Sequence, residues 1–206
     1  MNKFLSKLPV IAGVVFCLWV GIQLVLLLLY WDMPNHDDAL AYQELAQECV
    51  DRGTWYPDVQ NAHDTFIFGP GYVNLLVLFH HLFGTFYVVR LLNFILNILM
   101  LVEVFVLAHR LFDKNTAYLA AILYMLTFSN LYLPIAMLTD LPFTFLLLTA
   151  LLLCMEKKIL PVLVAGILIA VANWFRPLAF VFLFVLLLYF LINKRVWKYY
   201  AALVLP

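Results

Sequence analysis

Residues 8–30 contain no charged side chain and only one amide, Gln23, and this run decides what the chain can become. A helix needs about 20 apolar residues to cross a bilayer, and a helix apolar all round has no polar face to show to water. Tyr30 and Trp31 close the run with aromatic residues of the kind favoured at a membrane boundary. Lys3 and Lys7 ahead of it resemble a signal sequence, but the run is too long and lacks a small-residue cleavage site, so it reads as an anchor that stays. Further apolar runs predict spans over 86–107, 116–134, 141–155, 159–175 and 178–192. With 67% hydrophobic and 12% charged residues, the chain lacks the polar surface to coat a soluble globule. The expected fold class is all-α, a polytopic membrane helical bundle.

Residues 31–70 form the one long polar stretch. It holds eight of the twelve acids (Asp32, Asp37, Asp38, Glu44, Glu48, Asp51, Asp58 and Asp64) and one of the twelve basic residues, Arg52. Asn35 and Asp37 offer N-caps to an amphipathic helix over 39–52. Tyr42, Leu45, Ala46, Cys49 and Val50 line its apolar side, and Gly53 provides its stop. About four turns long, this helix is expected to lie on the membrane surface. Pro57, Asn61, Gly69 and Pro70 break the next stretch into loop. Residues 71–83 are apolar but short, hence interfacial or re-entrant.

Cytoplasmic loops are enriched in Lys and Arg. If 71–83 does not cross, nine basic residues lie inside (Lys3, Lys7, Arg110, Lys114, Lys157, Lys158, Lys194, Arg195 and Lys198) and three outside (Arg52, Arg90 and Arg176). If it crosses, four stay inside against eight. The non-crossing arrangement is expected: N-terminus cytoplasmic, multi-pass in the plasma (inner) membrane, and 31–85 a non-cytoplasmic loop bearing interfacial helices. Residues 1–206 read as a single transmembrane module, incomplete at the C-terminus. Asp37, Asp38, His63, Asp64, Arg90, Asp140 and Arg176 then share one side. Charges at a membrane edge or within the bilayer are functional candidates by default.

Several motifs, in order, resemble those of the GT-C fold glycosyltransferases that use polyprenyl-phosphate sugars, including protein O-mannosyltransferases and aminoarabinose transferases. They are Asp38-x-x-x-Tyr42, Gly53-x-Trp55-x-Pro57, Leu82-Phe83-Gly84 with Arg90-Leu91, Arg110-Leu111-Phe112, Thr139-Asp140-Leu141-Pro142 and Arg176-Pro177. The chain departs from the family pattern at Asp38-Ala39, where the family commonly has Asp-Glu, and at Phe68-Gly69-Pro70, where it has Lys-Pro-Pro. The resemblance implies a glycosyltransferase with a polyprenyl-phosphate-sugar donor, a hydroxyl acceptor (glycan, lipid or protein), and a role for Tyr42 in substrate binding.

Attack by an acceptor hydroxyl on an anomeric carbon needs a base, whereas a lipid phosphate leaves with little acid help. Asp38 is the candidate base and Asp37 the alternative; the competing reading makes both helix caps. Asp140 could orient acceptor or base, or simply start a helix. Arg90, Asn93 and Asn97 share a helix face on which a lipid phosphate could be held, and Arg176 is a second phosphate candidate; snorkelling to headgroups is the alternative for both arginines. Glu103 reads as a surface residue near the cytoplasmic end of its span. No cofactor is required. His63 and Asp64, with His36, are the residues a divalent cation would use, although they lack ligand spacing. Besides donor and acceptor, the expected partners are membrane lipids; no nucleic acid is expected. A transporter or a non-catalytic membrane scaffold is the alternative. Transport sites usually lie near the midplane and often in repeated halves, whereas these charges gather at one edge without a repeat.

Overall fold

The computed structural model describes residues 5–61, 63, 65 and 67–205. Lys3 of the orientation count and Asp64 of the cation set lie outside the described residues. Among these residues the regular elements are all helical: α1 (Leu8–Leu29), α2 (Asp37–Arg52), α3 (Pro70–Phe83), α4 (Val88–Leu111), α5 (Lys114–Leu126), α6 (Ser129–Tyr132), α7 (Asp140–Cys154), α8 (Ile159–Phe175), α9 (Ala179–Ile192) and α10 (Trp197–Val204). The chain is a helical membrane bundle, as its hydropathy requires. α1 and α4, with 22 and 24 residues, are long enough at about 1.5 Å per residue to cross an apolar layer of about 30 Å. α7, α8 and α9 are apolar but shorter, with 15, 17 and 14 residues.

α4 is the central helix, packed against α1, α3, α5 and α7. α7 and α8 form a close pair, α10 lies on α8, and α2 lies on α3. The α2 face that meets α3 is Ala39, Tyr42, Ala46 and Cys49, a helical spacing of small and aromatic side chains. They share a core with Tyr72, Val73, Leu76 and Val77 of α3, Val89 of α4, and Phe175 at the end of α8. The acidic face of α2 is left outward. Gly53 ends α2 at φ 64, its N–H returning to the carbonyls of Cys49 and Val50, which is the stop expected there.

Contacts sort the helix ends into two groups. At one end Arg90 reaches residues 30–35 and Arg176 reaches Asp140. At the other, Arg110 pairs with Glu156 at 2.8 Å, Arg195 donates to the carbonyl of Met155, and the Tyr199 hydroxyl donates to that of Lys157.

Three expectations change. The span over 116–134 is not one helix: α5 stops at Leu126 and Thr127 is extended. The Thr127 hydroxyl bonds back to the carbonyl of Leu123, and Pro134 has no N–H to donate. The freed carbonyls of this break find donors on α4, described below. The cap of α2 is His36, which makes no side-chain capping bond. Asn35 cannot cap because its amide is engaged elsewhere, and Asp37 and Asp38 lie inside the first turn. Glu103 is not a surface residue: α4 continues to Leu111, leaving Glu103 9% exposed and accepting a hydrogen bond from Thr149 of α7.

Candidate active site

Residues 30–35, which join α1 to α2, are irregular backbone at the rim of the bundle, so their carbonyls need donors. Arg90, from the first turn of α4 and 2% exposed, supplies them. Its guanidinium donates to the carbonyls of Tyr30, Trp31 (2.6 Å) and Met33 (2.8 Å) and to Oδ1 of Asn35 (2.9 Å). The Asn35 amide in turn donates to Oε1 of Gln43 on α2 and to the sulfur of Met137 ahead of α7. One buried asparagine thus ties α4, α2 and the approach to α7 together. A cleft of about 70 Å³ remains among Arg90, Asn35, His36 and Tyr132.

The chain emerges from this clamp directly into the acidic pair. Asp37 has φ 51. Aspartate tolerates this left-handed conformation better than most residues, at a strain of about 1–2 kcal/mol, and the α4 clamp helps to hold it there. Asp38 follows in the first turn of α2, exposed and without a side-chain partner among the described residues.

One turn on, Tyr42 is buried edge-on against Phe68 and Tyr72, with both ring centroids at 5.0 Å. Burial pushes its hydroxyl above the usual tyrosine range, while interactions with Thr139 and Arg176 pull it the other way. Tyr42 therefore stays a neutral phenol, and the Asp38 charge reinforces that. Arg176 caps the C-terminal end of α8 and forks onto both carboxylate oxygens of Asp140 at 3.2 Å, with Nε donating to the Thr139 hydroxyl. The α8 end is held close by residues 69–71. A Cβ on Gly69 would lie 1.9 Å from the carbonyl oxygen of Phe175, so nothing larger than glycine fits without displacement.

Of the residues singled out in the sequence, Asp38, Tyr42, Asp140 and Arg176 converge on this corner, and Asp37 borders it. Arg90, Asn93 and Asn97 do share a face of α4, but their hydrogen-bonding groups are largely taken. Asn93 donates to the carbonyl of Ala136; Asn97 donates to the carbonyl of Asn130 and to Gln23 of α1, and accepts from the Tyr124 hydroxyl. This face serves irregular backbone on two sides: 30–35 through Arg90 and the α5–α7 break through the asparagines. Tyr72 was missed, and the roles of Asn35, expected as a cap, and Thr139, seen only as part of a motif, were not foreseen, since Arg90 and Arg176 that bind them lie far away in sequence. His63 is exposed, and among the described residues no three His, Cys, Asp or Glu side chains group to hold a metal.

Beside the corner runs an apolar groove of about 400 Å³, lined by Trp55, Gly71, Leu75, Leu78, Trp174 and Phe175. Its wall at Trp55 is fixed from below: Asn74 accepts from the Tyr56 N–H (2.8 Å) and donates to the Tyr56 carbonyl (2.7 Å).

Comparison with known proteins adds a family. No match was found among curated proteins or among solved structures. The family model described as dolichyl-phosphate-mannose-protein mannosyltransferase matches residues 69–205, which takes in α3 to α10 with Arg90, Asp140 and Arg176 and leaves out α1 and α2. The match covers more than half of the chain and agrees with an all-helical membrane bundle: the chain belongs to the dolichyl-phosphate-mannose-protein mannosyltransferase family, membrane glycosyltransferases of the GT-C type.

Proposed function

We propose that this glycosyltransferase moves a sugar from a polyprenyl-phosphate donor to a hydroxyl acceptor on the non-cytoplasmic face, with Asp38 as general base. The observation that carries the reading is the meeting of an exposed Asp38, without a side-chain partner among the described residues, with a corner built from buried Tyr42 and Thr139 and half-buried Arg176 and Asp140. A base must reach an incoming hydroxyl and must not already be neutralised. Asp38 meets both conditions, whereas the carboxylate of Asp140 is held by Arg176. In the proposed step Asp38 takes the acceptor proton, the acceptor oxygen bonds to the anomeric carbon, and the bond from that carbon to the phosphate oxygen breaks. The lipid phosphate departs with the electron pair.

Arg176, partly exposed, faces the departing phosphate while Asp140 and Thr139 fix its fork. The neutral Tyr42 hydroxyl supplies a donor or acceptor beside it, and Asp37 is the reserve candidate for base. The groove at Trp55 and Trp174 suits the first part of a prenyl chain. Arg90 acts as a positioning residue, because the backbone it binds leads into His36, Asp37 and Asp38, and Asn93 and Asn97 act in the same way on the break that leads into Thr139 and Asp140. The proposed arrangement is one transmembrane module in the plasma membrane with the N-terminus inside and 31–85 as the outer active-site loop. The basic residues at the Arg110–Glu156 end support it.

Asp38→Asn tests the reading. Transfer of labelled sugar from a lipid-linked donor in membranes should fall by about 100-fold or more with thermal stability retained. Asp37→Asn should be milder. Near-normal transfer by Asp38→Asn would remove the assignment, and activity in both variants would leave the pair as helix-start residues.

A further inference from the structure

At the end opposite the candidate site, α10 lies against the first turns of α8 and leaves a groove of about 410 Å³. Its walls are Ile159, Leu160 and Leu163 on one side and Trp197, Ala201 and Leu205 on the other, with Lys198 at the rim. The exposure is pronounced: Leu160 66% and Trp197 78%. α10 is pinned in place by the Tyr199 hydroxyl on the Lys157 carbonyl at 2.7 Å and by Arg195, which donates to Met155 and stacks on the Tyr199 ring at 5.2 Å. The groove is thus a built feature of two tied helices.

Its rim is cationic. Lys157 and Lys158 immediately precede α8, and Lys194, Arg195 and Lys198 surround the start of α10. Glu156, the acid of the α7–α8 turn, is already paired with Arg110. Among the described residues no ion pair engages Lys157, Lys158, Lys194 or Lys198. An apolar trough, a boundary tryptophan and unneutralised lysines at one mouth match one chemistry: an acyl chain joined to an anionic headgroup.

We infer that this groove is a binding site for one anionic phospholipid. Its headgroup lies against Lys198 and Lys158, and a chain runs along Leu160, Leu163 and Ala201. Charge complementarity selects this occupant: a zwitterionic lipid fills the trough equally well but brings its own cation beside its phosphate, so it offers the lysines no net negative charge. The site is separate from the sugar-transfer corner and does not depend on which leaflet this end of the bundle meets.

The test uses the whole chain, purified and reconstituted in phosphatidylcholine vesicles. These carry a trace of fluorescent phosphatidylglycerol or, in parallel, fluorescent phosphatidylcholine, read by the part of the tryptophan energy transfer that is lost in Trp197→Phe, since the chain has five tryptophans. Phosphatidylglycerol should be enriched severalfold over phosphatidylcholine. Lys198→Gln should weaken that preference about fivefold, the effect of one cation near an anionic headgroup, and Lys158→Gln/Lys198→Gln further. Ala201→Phe should exclude the lipid with every charge intact. Equal signals for the two lipids overturn the inference, as does a preference unchanged in the double lysine variant. A disulfide-linked dimer of Trp197→Cys forming at any lipid composition would give the groove to a second copy of the chain, and so would also overturn it.

Discussion

Replacing Arg90 by Gln separates two roles that a buried arginine at a membrane edge can play. Its guanidinium bonds to three backbone carbonyls and to Oδ1 of Asn35, so a shortened side chain strands up to four acceptors. At about 1–3 kcal/mol for each stranded acceptor the loss could exceed 4 kcal/mol. Two effects reduce it. Met33 is 41% exposed, so that part of the strand can turn to water, and polar contacts within membrane bundles average nearer 0.6 kcal/mol when measured pairwise. A loss of about 2–4 kcal/mol follows, concentrated on residues 30–40. Hydrogen exchange on the detergent-solubilised protein should show those amides losing protection first, with a lowered unfolding temperature. Arg90→Lys should share the defect, since an ammonium keeps the charge without the planar fork. If Arg90→Gln keeps full protection at 30–40 and full thermal stability yet loses donor binding, the clamp reasoning fails and Arg90 is a direct phosphate ligand.

Gly69→Ala should be severe for so small a change, because its Cβ would meet the Phe175 carbonyl at 1.9 Å and push α3 from the end of α8. The expected destabilisation is about 1–3 kcal/mol, with transfer lost through displacement of Arg176; unchanged melting and activity would show that the contact relaxes without effect. The loop after α2 should loosen in acid. Asp58 is held below the usual carboxylate range by Arg52, at 2.7 Å, and then by the Gln60 N–H. Its contribution is present above the unfolded-state pKa and is lost as pH falls through the lower folded value. Proteolysis between residues 53 and 61 should therefore rise below about pH 4 and should do so at higher pH in Arg52→Gln; a pH-independent cleavage rate in the wild type would refute the coupling.

Much of the fold was legible because hydropathy and local stops are local signals. The first span, the amphipathic character of α2, the Gly53 stop and the short α3 all follow from neighbours within a few residues. The α5–α7 break was not legible, since residues 127–136 carry no charge to interrupt the apolar run and what makes their irregular backbone tolerable is two asparagines on another helix. The same gap hid the work of the α4 polar face. Arg90, Asn93 and Asn97 were correctly placed on one side, but their partners are backbone carbonyls, which no side chain announces. At the candidate site the Asp38-x-x-x-Tyr42 spacing and the Thr139–Asp140 pair were visible as separate motifs. The fork of Arg176 that joins them spans 36 residues and appears only in three dimensions.

The α4 polar face also gives assembly a direction. Asn93 and Asn97 precede in sequence the carbonyls of Asn130 and Ala136 that they receive, whereas Arg90 follows residues 30–35. In a chain made from its N-terminus, the break after α5 emerges beside a helix already carrying its donors and can be accepted at once. Residues 30–35 have no such host when they appear. They must remain in contact with water or the insertion machinery until some sixty more residues have been made, and the acidic pair they carry takes its place only when α4 arrives.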